Sequence, residues 1–158
     1  MLSDQIERYS RQIKLPQVGE TGQQQLLDAR VLIIGMGGLG SPVAMYLVAA
    51  GVGHLVISDY DRVDESNLQR QIVHTQASIN ELKAASARDT LLRLNPAVSI
   101  DALNYELDDE ELTKQVKQAN VVVDCTDNFP SRFELNRVSL ATGTPIVSGA
   151  AIRWEGQV

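Results

Sequence analysis

Three glycines in the stretch VLIIGMGGLG have the spacing of a phosphate-binding turn. Gly35, Gly37 and Gly40 spell G-x-G-x-x-G; the apolar run before them predicts a buried strand, and SPVAMYLVAAG after them predicts a helix. Glycines at these positions let the backbone turn tightly, approach a ligand without a Cβ, and pack the helix closely on the sheet. The first amides of that helix would point at a phosphate, so the sequence predicts a site for a mononucleotide or a dinucleotide.

Polar residues after the second predicted strand bear on the choice of nucleotide. Asp59 follows VIS at the end of that strand, where a carboxylate accepts hydrogen bonds from ribose hydroxyls, and both NAD and ATP carry such a ribose. The long polar segment that follows brings amides and cations to the strand ends, namely Asn67, Arg70, Gln71 and Lys83. These cations suit a triphosphate that loses pyrophosphate, because negative charge builds on the leaving group.

Each of the two cations also has a simpler interpretation. Arg70 could pair on the surface with Asp64 or Glu65, and Lys83 could be a solvated residue in the first turn of a helix. A cation at a helix start opposes the helix dipole, which favours a specific anionic partner for Lys83. The sequence leaves these alternatives open.

A further group of candidates lies in VVVDCTDN, at the end of another apolar run. Asp124 and Asp127 are expected at the carboxyl end of this strand, facing the same crevice as the glycine turn. A carboxylate beside a triphosphate is repelled unless a metal lies between them, so Asp127 is predicted to be a Mg²⁺ ligand. Alternatively, Asp127 or Asn128 only caps the following helix. Cys125, on a buried strand between acids, is expected to have a raised pKa and to pack in the core rather than to catalyse.

Length and composition exclude several classes of protein. The 158 residues suffice for one domain with a sizeable core, and 44% of them are hydrophobic. A net charge of -6 argues against a nucleic-acid surface, and no apolar stretch is long enough to cross a membrane. The N-terminus lacks the basic and apolar regions of a signal peptide, so the cytoplasm is the expected compartment. The single cysteine excludes an internal disulfide and a cysteine-based zinc site within this chain.

Alternating strands and helices from residue 30 onwards must position these side chains. The predicted strands are 30–34, 54–58, 97–103, 120–125 and 145–148, and the predicted helices are 40–51, 82–94, 108–118 and 130–142. This alternation predicts an α/β fold, a Rossmann-like, doubly wound and mostly parallel sheet with helices on both faces. The last residues, SGAAIRWEGQV, are expected to form a strand.

Residues 1–29 are expected to form an N-terminal helical segment that precedes the nucleotide-binding domain, residues 30–158. A helix from Ser3 places Ile6, Tyr9 and Ile13 at helical spacing. LPQVGETG then breaks the helix and predicts a flexible connection, and QQQLLDA predicts a short second helix. This connection is expected to be flexible enough for the first helix to leave its own domain.

Several spaced motifs together resemble the MoeB/ThiF adenylyltransferase family, whose members are related to the ubiquitin-activating enzymes. The motifs are RYSRQI, GMGGLGSPVAMYLVAAGVG, DYDRVDESNLQRQ, Lys83, DCTDN and VSGAAIRWEGQ, and they extend almost from end to end of the chain. In that family, ATP adenylates the C-terminal glycine of a small ubiquitin-like sulfur-carrier protein ending in Gly-Gly, and pyrophosphate is released. The resemblance implies ATP and Mg²⁺ as cofactors and such a carrier, of the molybdopterin or thiamine type, as partner.

The resemblance also implies a role for each motif residue. Asp59 binds ribose, while the phosphates are engaged by Asn67, Arg70 and Lys83. Asp127 belongs to the magnesium and acyl-adenylate site. The implied nucleotide-binding set is Gly35, Gly37, Gly38, Gly40, Asp59, Asp61, Asn67, Arg70, Gln71, Lys83, Asp127 and Asn128, and the implied catalytic set is Arg11, Arg70, Lys83 and Asp127.

Arg11 resembles an arginine that reaches the γ-phosphate from the partner subunit, which implies an obligate homodimer that residues 1–29 contact. Its simpler interpretation is an intrahelical pair with Glu7, four residues earlier. The chain departs from the family in lacking the paired CxxC zinc ligands and the cysteine-bearing loop, so it is interpreted as an N-terminal portion of a longer enzyme, with zinc expected only in the missing part. The alternatives are an NAD-dependent oxidoreductase and a non-catalytic nucleotide-binding or dimerisation fragment.

Overall fold

The computed structural model describes residue 1 and residues 3–158, and its central element is a five-stranded parallel sheet. The strands are β1 (Arg30–Ile34), β2 (His54–Ser58), β3 (Ser99–Leu103), β4 (Val121–Asp124) and β5 (Ile146–Ser148). Their order across the sheet is β3-β2-β1-β4-β5, and all neighbouring pairs are parallel. The chain starts in the middle, winds to one edge, and then returns to wind to the other. This topology confirms the predicted doubly wound α/β fold.

Helices cover both faces of the sheet. They are α1 (Ser3–Arg8), α2 (Ser10–Ile13), α3 (Gly19–Asp28), α4 (Gly40–Ala50), α5 (Lys83–Leu94), α6 (Asp109–Gln118) and α7 (Phe129–Thr142). Alternate residues of β1 point to opposite faces. Val31 and Ile33 pack in the same core as α4 and α5, whereas Leu32 packs in a second core with α6 and α7. Both faces of β1 are therefore buried, as its uninterrupted apolar run predicts.

The predicted boundaries agree with the observed ones to within two residues for the sheet and its helices. β1 and β2 begin and end where predicted, whereas β3 begins at Ser99 instead of residue 97. α4 and α7 end at glycines in the left-handed conformation, Gly51 at φ 89° and Gly143 at φ 72°. A side chain is strained in that conformation, which explains why glycine ends both helices.

The N-terminal helix differs from the prediction because it is interrupted at Tyr9. The Tyr9 side chain is buried, and its hydroxyl accepts a hydrogen bond of 2.8 Å from Nδ2 of Asn95. A Cβ on Gly51 would lie 2.6 Å from the Tyr9 ring, so the ring occupies the space of the absent side chain. Ile6, placed on the same apolar face by the sequence, is exposed. A contact distant in sequence therefore sets the course of this segment.

The C-terminal residues form a small hairpin instead of one strand. Its strands are β6 (Ala150–Ile152) and β7 (Glu155–Gln157), which pair antiparallel, and Trp154 between them is fully exposed. In the described part of the chain, the helices are too short or too polar to cross a membrane.

Candidate active site

A cleft of about 770 Å³ opens at the carboxyl ends of β1, β2 and β4. The winding direction of the chain reverses between β1 and β4, and open α/β sheets bind ligands at such a point. Of the twelve residues predicted to bind nucleotide, ten line the cleft: Gly35, Gly37, Gly38, Asp59, Asp61, Arg70, Gln71, Lys83, Asp127 and Asn128. The fold thus gathers side chains that are far apart in sequence, while Gly40 and Asn67 lie outside the lining.

The glycine turn is held by close contacts between main-chain atoms. Gly35 has φ 95°, and a Cβ there would lie 2.8 Å from the carbonyl oxygen of Cys125. A Cβ on Gly40 would lie 1.9 Å from the carbonyl oxygen of Gly35, so this glycine allows α4 to pack on the turn. At Gly37 the nearest atom to a Cβ is Nε2 of Gln71, at 3.6 Å. This glycine faces the cleft and leaves the backbone accessible to a ligand.

Asp59, at the end of β2, is fixed by two backbone amides. Its Oδ2 accepts a hydrogen bond of 2.8 Å from the amide of Met36, in the glycine turn. Its Oδ1 accepts one of 2.9 Å from the amide of Asp61. A carboxylate has about four acceptor positions, so two remain for hydroxyl groups in the cleft. The geometry therefore suits a carboxylate that accepts hydrogen bonds from a sugar.

Lys83 is buried and paired, which contradicts the interpretation of a solvated lysine. Its side chain is 9% exposed, and its Nζ lies 2.9 Å from Oδ2 of Asp61, whose side chain is 61% exposed. The backbone amide of Lys83 also donates to the carbonyl of Asp61. Asp61 thus anchors Lys83 from the open side of the cleft, which holds a positive charge at the cleft wall.

Arg70 is the second cation at the cleft, and it is exposed. Its aliphatic chain lies against Gly38, with Cγ 3.4 Å from the position of a Cβ there, and its Nη1 donates to the carbonyl of Ser66. Among residues 1 and 3–158 it makes no ion pair, so the interpretation of a pair with Asp64 or Glu65 is not supported. Its charge is available to an anionic ligand.

Two amides that were predicted to bind nucleotide have different environments. Gln71 is buried beside the glycine turn, and its Oε1 has no hydrogen-bond partner among the described residues. Asn67 lies in a short 3-10 helix and donates from Nδ2 to Oγ of Ser66. Only Gln71 of these two presents its side chain to the cleft in this structure.

The two acidic residues at the end of β4 have different environments: the carboxylate of Asp124 is buried and hydrogen-bonded, and that of Asp127 is exposed. Asp124 is 1% exposed, and hydrogen bonds from Thr126 and Ser148 occupy its two oxygens. The expectation that Asp124 faces the crevice is therefore wrong. Asp127 lines the cleft and is exposed, and no hydrogen bond or ion pair of its side chain is found in the described chain. Asn128 caps α7 by accepting from the amide of Ser131, so the capping interpretation holds for Asn128 and not for Asp127.

Arg132, which the sequence did not single out, holds together the turns after β4 and β5. Its guanidinium donates to the carbonyls of Thr126 and Gly149 and to the hydroxyl of Ser148. It also lies 3.6 Å from the buried Asp124. The only sequence signal was an arginine in the first turn of α7, where the helix dipole disfavours a cation.

Cys125 lines the cleft, and its thiol is expected to be unreactive. Burial raises the pKa of its thiol to about 11, and the neighbouring charge of Asp124 adds to this effect. At neutral pH the thiol is therefore protonated, and a protonated thiol is a poor nucleophile. This agrees with the expectation that Cys125 packs in the core.

Arg11 lies at the end of the domain opposite to the cleft. Its neighbour on α2, Gln12, donates to the carbonyl of Ala50 at the end of α4. The glycine turn lies at the start of that helix, and eleven residues span about 16 Å. Arg11 is exposed, makes no ion pair with Glu7 in the described chain, and does not line its own cleft. The N-terminal segment is anchored to its own domain instead of hanging free from it.

Taken together, the cleft can bind a phosphate ester that carries a sugar. The glycine turn before α4 brings backbone amides to the cleft, and two cations and one fixed carboxylate line the same space, namely Arg70, Lys83 and Asp59. Amides at a helix start and cations both favour negative charge. The free carboxylate of Asp127, which follows β4 and lines the same cleft, provides a place for a cation or for a group undergoing reaction.

Sequence comparisons relate this chain to one family and to several characterised proteins. The sequence profile of the ThiF family matches residues 9–158. The molybdopterin-synthase adenylyltransferase of Escherichia coli is 49% identical over 158 residues, which cover 99% of this chain and 64% of that relative. The sulfur carrier protein ThiS adenylyltransferase of the same species is 48% identical over 151 residues, 96% of this chain and 60% of that relative. The chain thus spans less than two thirds of these relatives.

A solved structure with the same fold comes from a more distant protein. The E. coli tRNA N6-threonylcarbamoyladenosine dehydratase TcdA, in complex with ATP, superposes with a TM-score of 0.87 at 22% sequence identity. The match covers 96% of this chain and 64% of TcdA. The two proteins share the fold.

Proposed function

This chain belongs to the ThiF family, and from that membership we propose that it is the ATP-binding portion of an adenylyltransferase. The proposed reaction joins AMP to the C-terminal glycine carboxylate of a small ubiquitin-like sulfur-carrier protein and releases pyrophosphate. The observation that carries the proposal is the free carboxylate of Asp127 in the same cleft as the glycine turn, Arg70 and Lys83. The names of the two relatives, molybdopterin-synthase adenylyltransferase and sulfur carrier protein ThiS adenylyltransferase, support this reaction over hydride transfer to NAD.

The proposed chemical step is an in-line displacement at the α-phosphorus of ATP. An oxygen of the carrier's terminal carboxylate forms the new P–O bond, and the bond to the β-phosphate bridging oxygen breaks. Negative charge grows on the departing pyrophosphate, where Arg70 and Lys83 stabilise it. No group of the chain becomes covalently attached, so catalysis rests on positioning and electrostatics.

Lys83 requires a rearrangement in this mechanism, because Asp61 holds its ammonium in the structure described above. A polyphosphate carries more negative charge than one carboxylate and competes for the same ammonium. Asp61 is largely exposed, so its side chain can return to water when phosphate takes its place. The pair then keeps Lys83 oriented toward the cleft until ATP arrives.

The proposed site offers Mg²⁺ one carboxylate, so the other ligands of the ion would have to come from ATP and water. Mg²⁺ commonly binds one or two carboxylates and takes its remaining ligands from substrate phosphates and water. Among the described residues, no three acidic, histidine or cysteine side chains cluster to form a complete metal site. Asp127, exposed and unpaired, is the residue that would hold the ion, and the ion would neutralise phosphate charge there.

We further propose that Arg11 acts in the cleft of a second subunit of a homodimer. About 16 Å of helix separates α2 from the glycine turn of its own chain, which is beyond the reach of an arginine side chain. In a dimer with two-fold symmetry, an Arg11 that enters the partner's cleft does so in both subunits, so both clefts would be shared. Because ATP is the proposed substrate, we assign the reaction to the cytoplasm.

The proposed function is tested by carrier-dependent exchange of labelled pyrophosphate into ATP. The reaction contains this chain, Mg²⁺, ATP and a carrier protein ending in Gly-Gly; the same carrier without its last glycine is the negative control. We expect exchange with the complete carrier, and a loss of at least about 100-fold in Asp127→Asn, on the scale of one preorganised electrostatic contact. Asp89→Asn, an exposed aspartate on α5 outside the cleft, is the matched control and should retain exchange.

Two results would contradict the proposal. Exchange by Asp127→Asn at the parental rate would remove Asp127 from the site. Calorimetric binding of NAD but not of ATP would favour the oxidoreductase alternative over adenylation.

A further inference from the structure

His74 is a buried histidine whose two ring nitrogens connect different walls of the cleft. It is 5% exposed and does not line the cleft. Its Nε2 lies 3.1 Å from the carbonyl oxygen of Met36, in the glycine turn, and its Nδ1 lies 2.9 Å from Oγ of Ser86, on α5. The ring therefore bridges the turn and the helix from behind the ligand space.

The partners of His74 define its protonation. A carbonyl oxygen only accepts hydrogen bonds, so Nε2 carries the proton and donates to Met36. In the neutral ring Nδ1 is then an acceptor, and the Ser86 hydroxyl donates to it. Burial lowers the pKa of His74; the facing charge of Lys83 lowers it further, whereas the charge of Asp59 and the Met36 hydrogen bond raise it. The neutral ring is therefore the form present at pH 7.

This bridge reaches residues that form the cleft. Met36, whose carbonyl accepts from His74, donates its own amide to Asp59. Ser86 lies in the first turn of α5, which begins with Lys83. The backbone amide of His74 donates to the carbonyl of Gln71, whose side chain lines the cleft. The ring and the backbone amide of His74 thus connect the glycine turn, the segment before α5, and α5 to each other.

We propose that His74 is a positioning residue of the nucleotide site: by holding the carbonyl of Met36 it restrains the backbone of that residue, and the Met36 amide, in the preceding peptide unit, then keeps Asp59 in place for the sugar of ATP. The inference rests on the ATP binding proposed above. The carboxylate–ribose contact is made in the ground state and the transition state alike, so its loss weakens ATP binding without slowing the chemical step. His74 itself touches neither ATP nor the acceptor.

A matched pair of substitutions tests this role. In His74→Gln the amide nitrogen can occupy the place of Nε2 and still donate to Met36, whereas the contact with Ser86 is lost. In His74→Asn the shorter side chain can keep Ser86 as a partner but cannot reach Met36. We expect calorimetry with Mg²⁺-ATP to give an affinity within about twofold of the parent for Gln and five- to tenfold weaker for Asn, the effect of one hydrogen bond. In the exchange reaction, Asn should raise KM for ATP and leave kcat within about threefold.

Controls separate positioning from a general loss of structure. His54→Gln changes the other histidine, which pairs with Asp101 on β3, outside the cleft, and should leave ATP affinity unchanged. Equal losses in His74→Gln and His74→Asn, or parental affinity in His74→Asn, would overturn the proposal. If His74→Asn does not fold, His74→Met replaces it, because its apolar side chain fills the space of the ring without donating to Met36: we expect five- to tenfold weaker ATP binding, and parental affinity would again overturn the proposal.

The outcome for the parent chain distinguishes this inference from the proposed function. If the parent binds no ATP, the proposed function fails before His74 is tested. If the parent binds ATP and only the His74 effects are absent, the positioning role fails and the proposed function stands.

Discussion

Substitution by alanine should have different effects at two glycines of the same turn: a loss of stability at Gly40 and a loss of ligand affinity at Gly37. A Cβ on Gly40 would lie 1.9 Å from the carbonyl oxygen and 2.9 Å from the carbonyl carbon of Gly35. The first distance is roughly 1.5 Å shorter than an ordinary van der Waals contact. The obstructing atoms belong to the backbone, so no side-chain rotation relieves the clash, and α4 must move away from the turn. At Gly37, the nearest atom to a new Cβ is 3.6 Å away, which is ordinary contact.

The size of the difference follows from these distances. Overpacking of a well-packed core costs about 1–3 kcal/mol, and a clash between main-chain segments belongs at the upper end of that range. In a domain of this size, 1 kcal/mol shifts Tm by about 2–4 °C, so Gly40→Ala should melt about 6–12 °C below the parent. Gly37→Ala should melt within about 2 °C of the parent. Its methyl group would project into the cleft and should weaken ATP binding by about tenfold or more.

Thermal unfolding followed by circular dichroism measures the first effect, and calorimetric titration with Mg²⁺-ATP measures the second. The parent is the reference for both. A Gly40→Ala protein that melts within 2 °C of the parent would show that α4 does not depend on this close approach. A Gly37→Ala protein that binds ATP like the parent would show that the ligand does not approach the backbone there.

Three further outcomes are expected. Arg70→Ala and Lys83→Ala should each lower turnover in pyrophosphate exchange by about 100-fold at saturating ATP, whereas a change in ATP affinity alone would assign them to ground-state binding. Arg11→Ala chains mixed with Asp127→Ala chains should recover about one quarter of the parental rate if Arg11 acts in the partner's cleft. The reason is that about half of a random mixture is heterodimer, and each heterodimer has one intact site of two. No recovery after verified subunit exchange would contradict this role of Arg11. Burial lowers the pKa of His74 below its unfolded value of about 6.5, so the stability contributed by the neutral ring is fully present above that pH and is lost as the pH drops toward the folded pKa. Between pH 7 and 5.5 the Tm of the parent should therefore fall more steeply than the Tm of His74→Gln. Equal slopes for the two proteins would contradict this prediction.

The elements of the sheet were predictable because each is defined by local signals. β1 and β2 are short apolar runs flanked by glycine or polar residues, and their observed bounds agree with the prediction. The interruption at Tyr9 was not predictable, because it depends on contacts with Asn95, 86 residues away in the sequence, and with Gly51. Both residues are close to Tyr9 only in the folded structure. Helical periodicity alone does not register such a contact.

The candidate site was likewise predictable in part. Residue types and the positions of strand ends predicted which side chains would gather, and ten of the twelve line the cleft. The pairing of Lys83 with Asp61 and the burial of Asp124 were not predictable, because each depends on the direction in which a carboxylate points near the end of its strand. Arg132 and His74 were missed because they act behind the cleft surface, where no motif marks them.

The contact between Gly35 and the carbonyl of Cys125 has a thermodynamic consequence. It joins the turn after β1 to the turn after β4, so the two walls of the cleft meet through main-chain atoms. If a ligand on one wall shifts this contact, it changes the affinity of a ligand on the other, and reciprocity requires the change to be equal in both directions. Substituting the Cys125 side chain leaves the carbonyl in place and so preserves this linkage, whereas any side chain at Gly35 pushes the two turns apart.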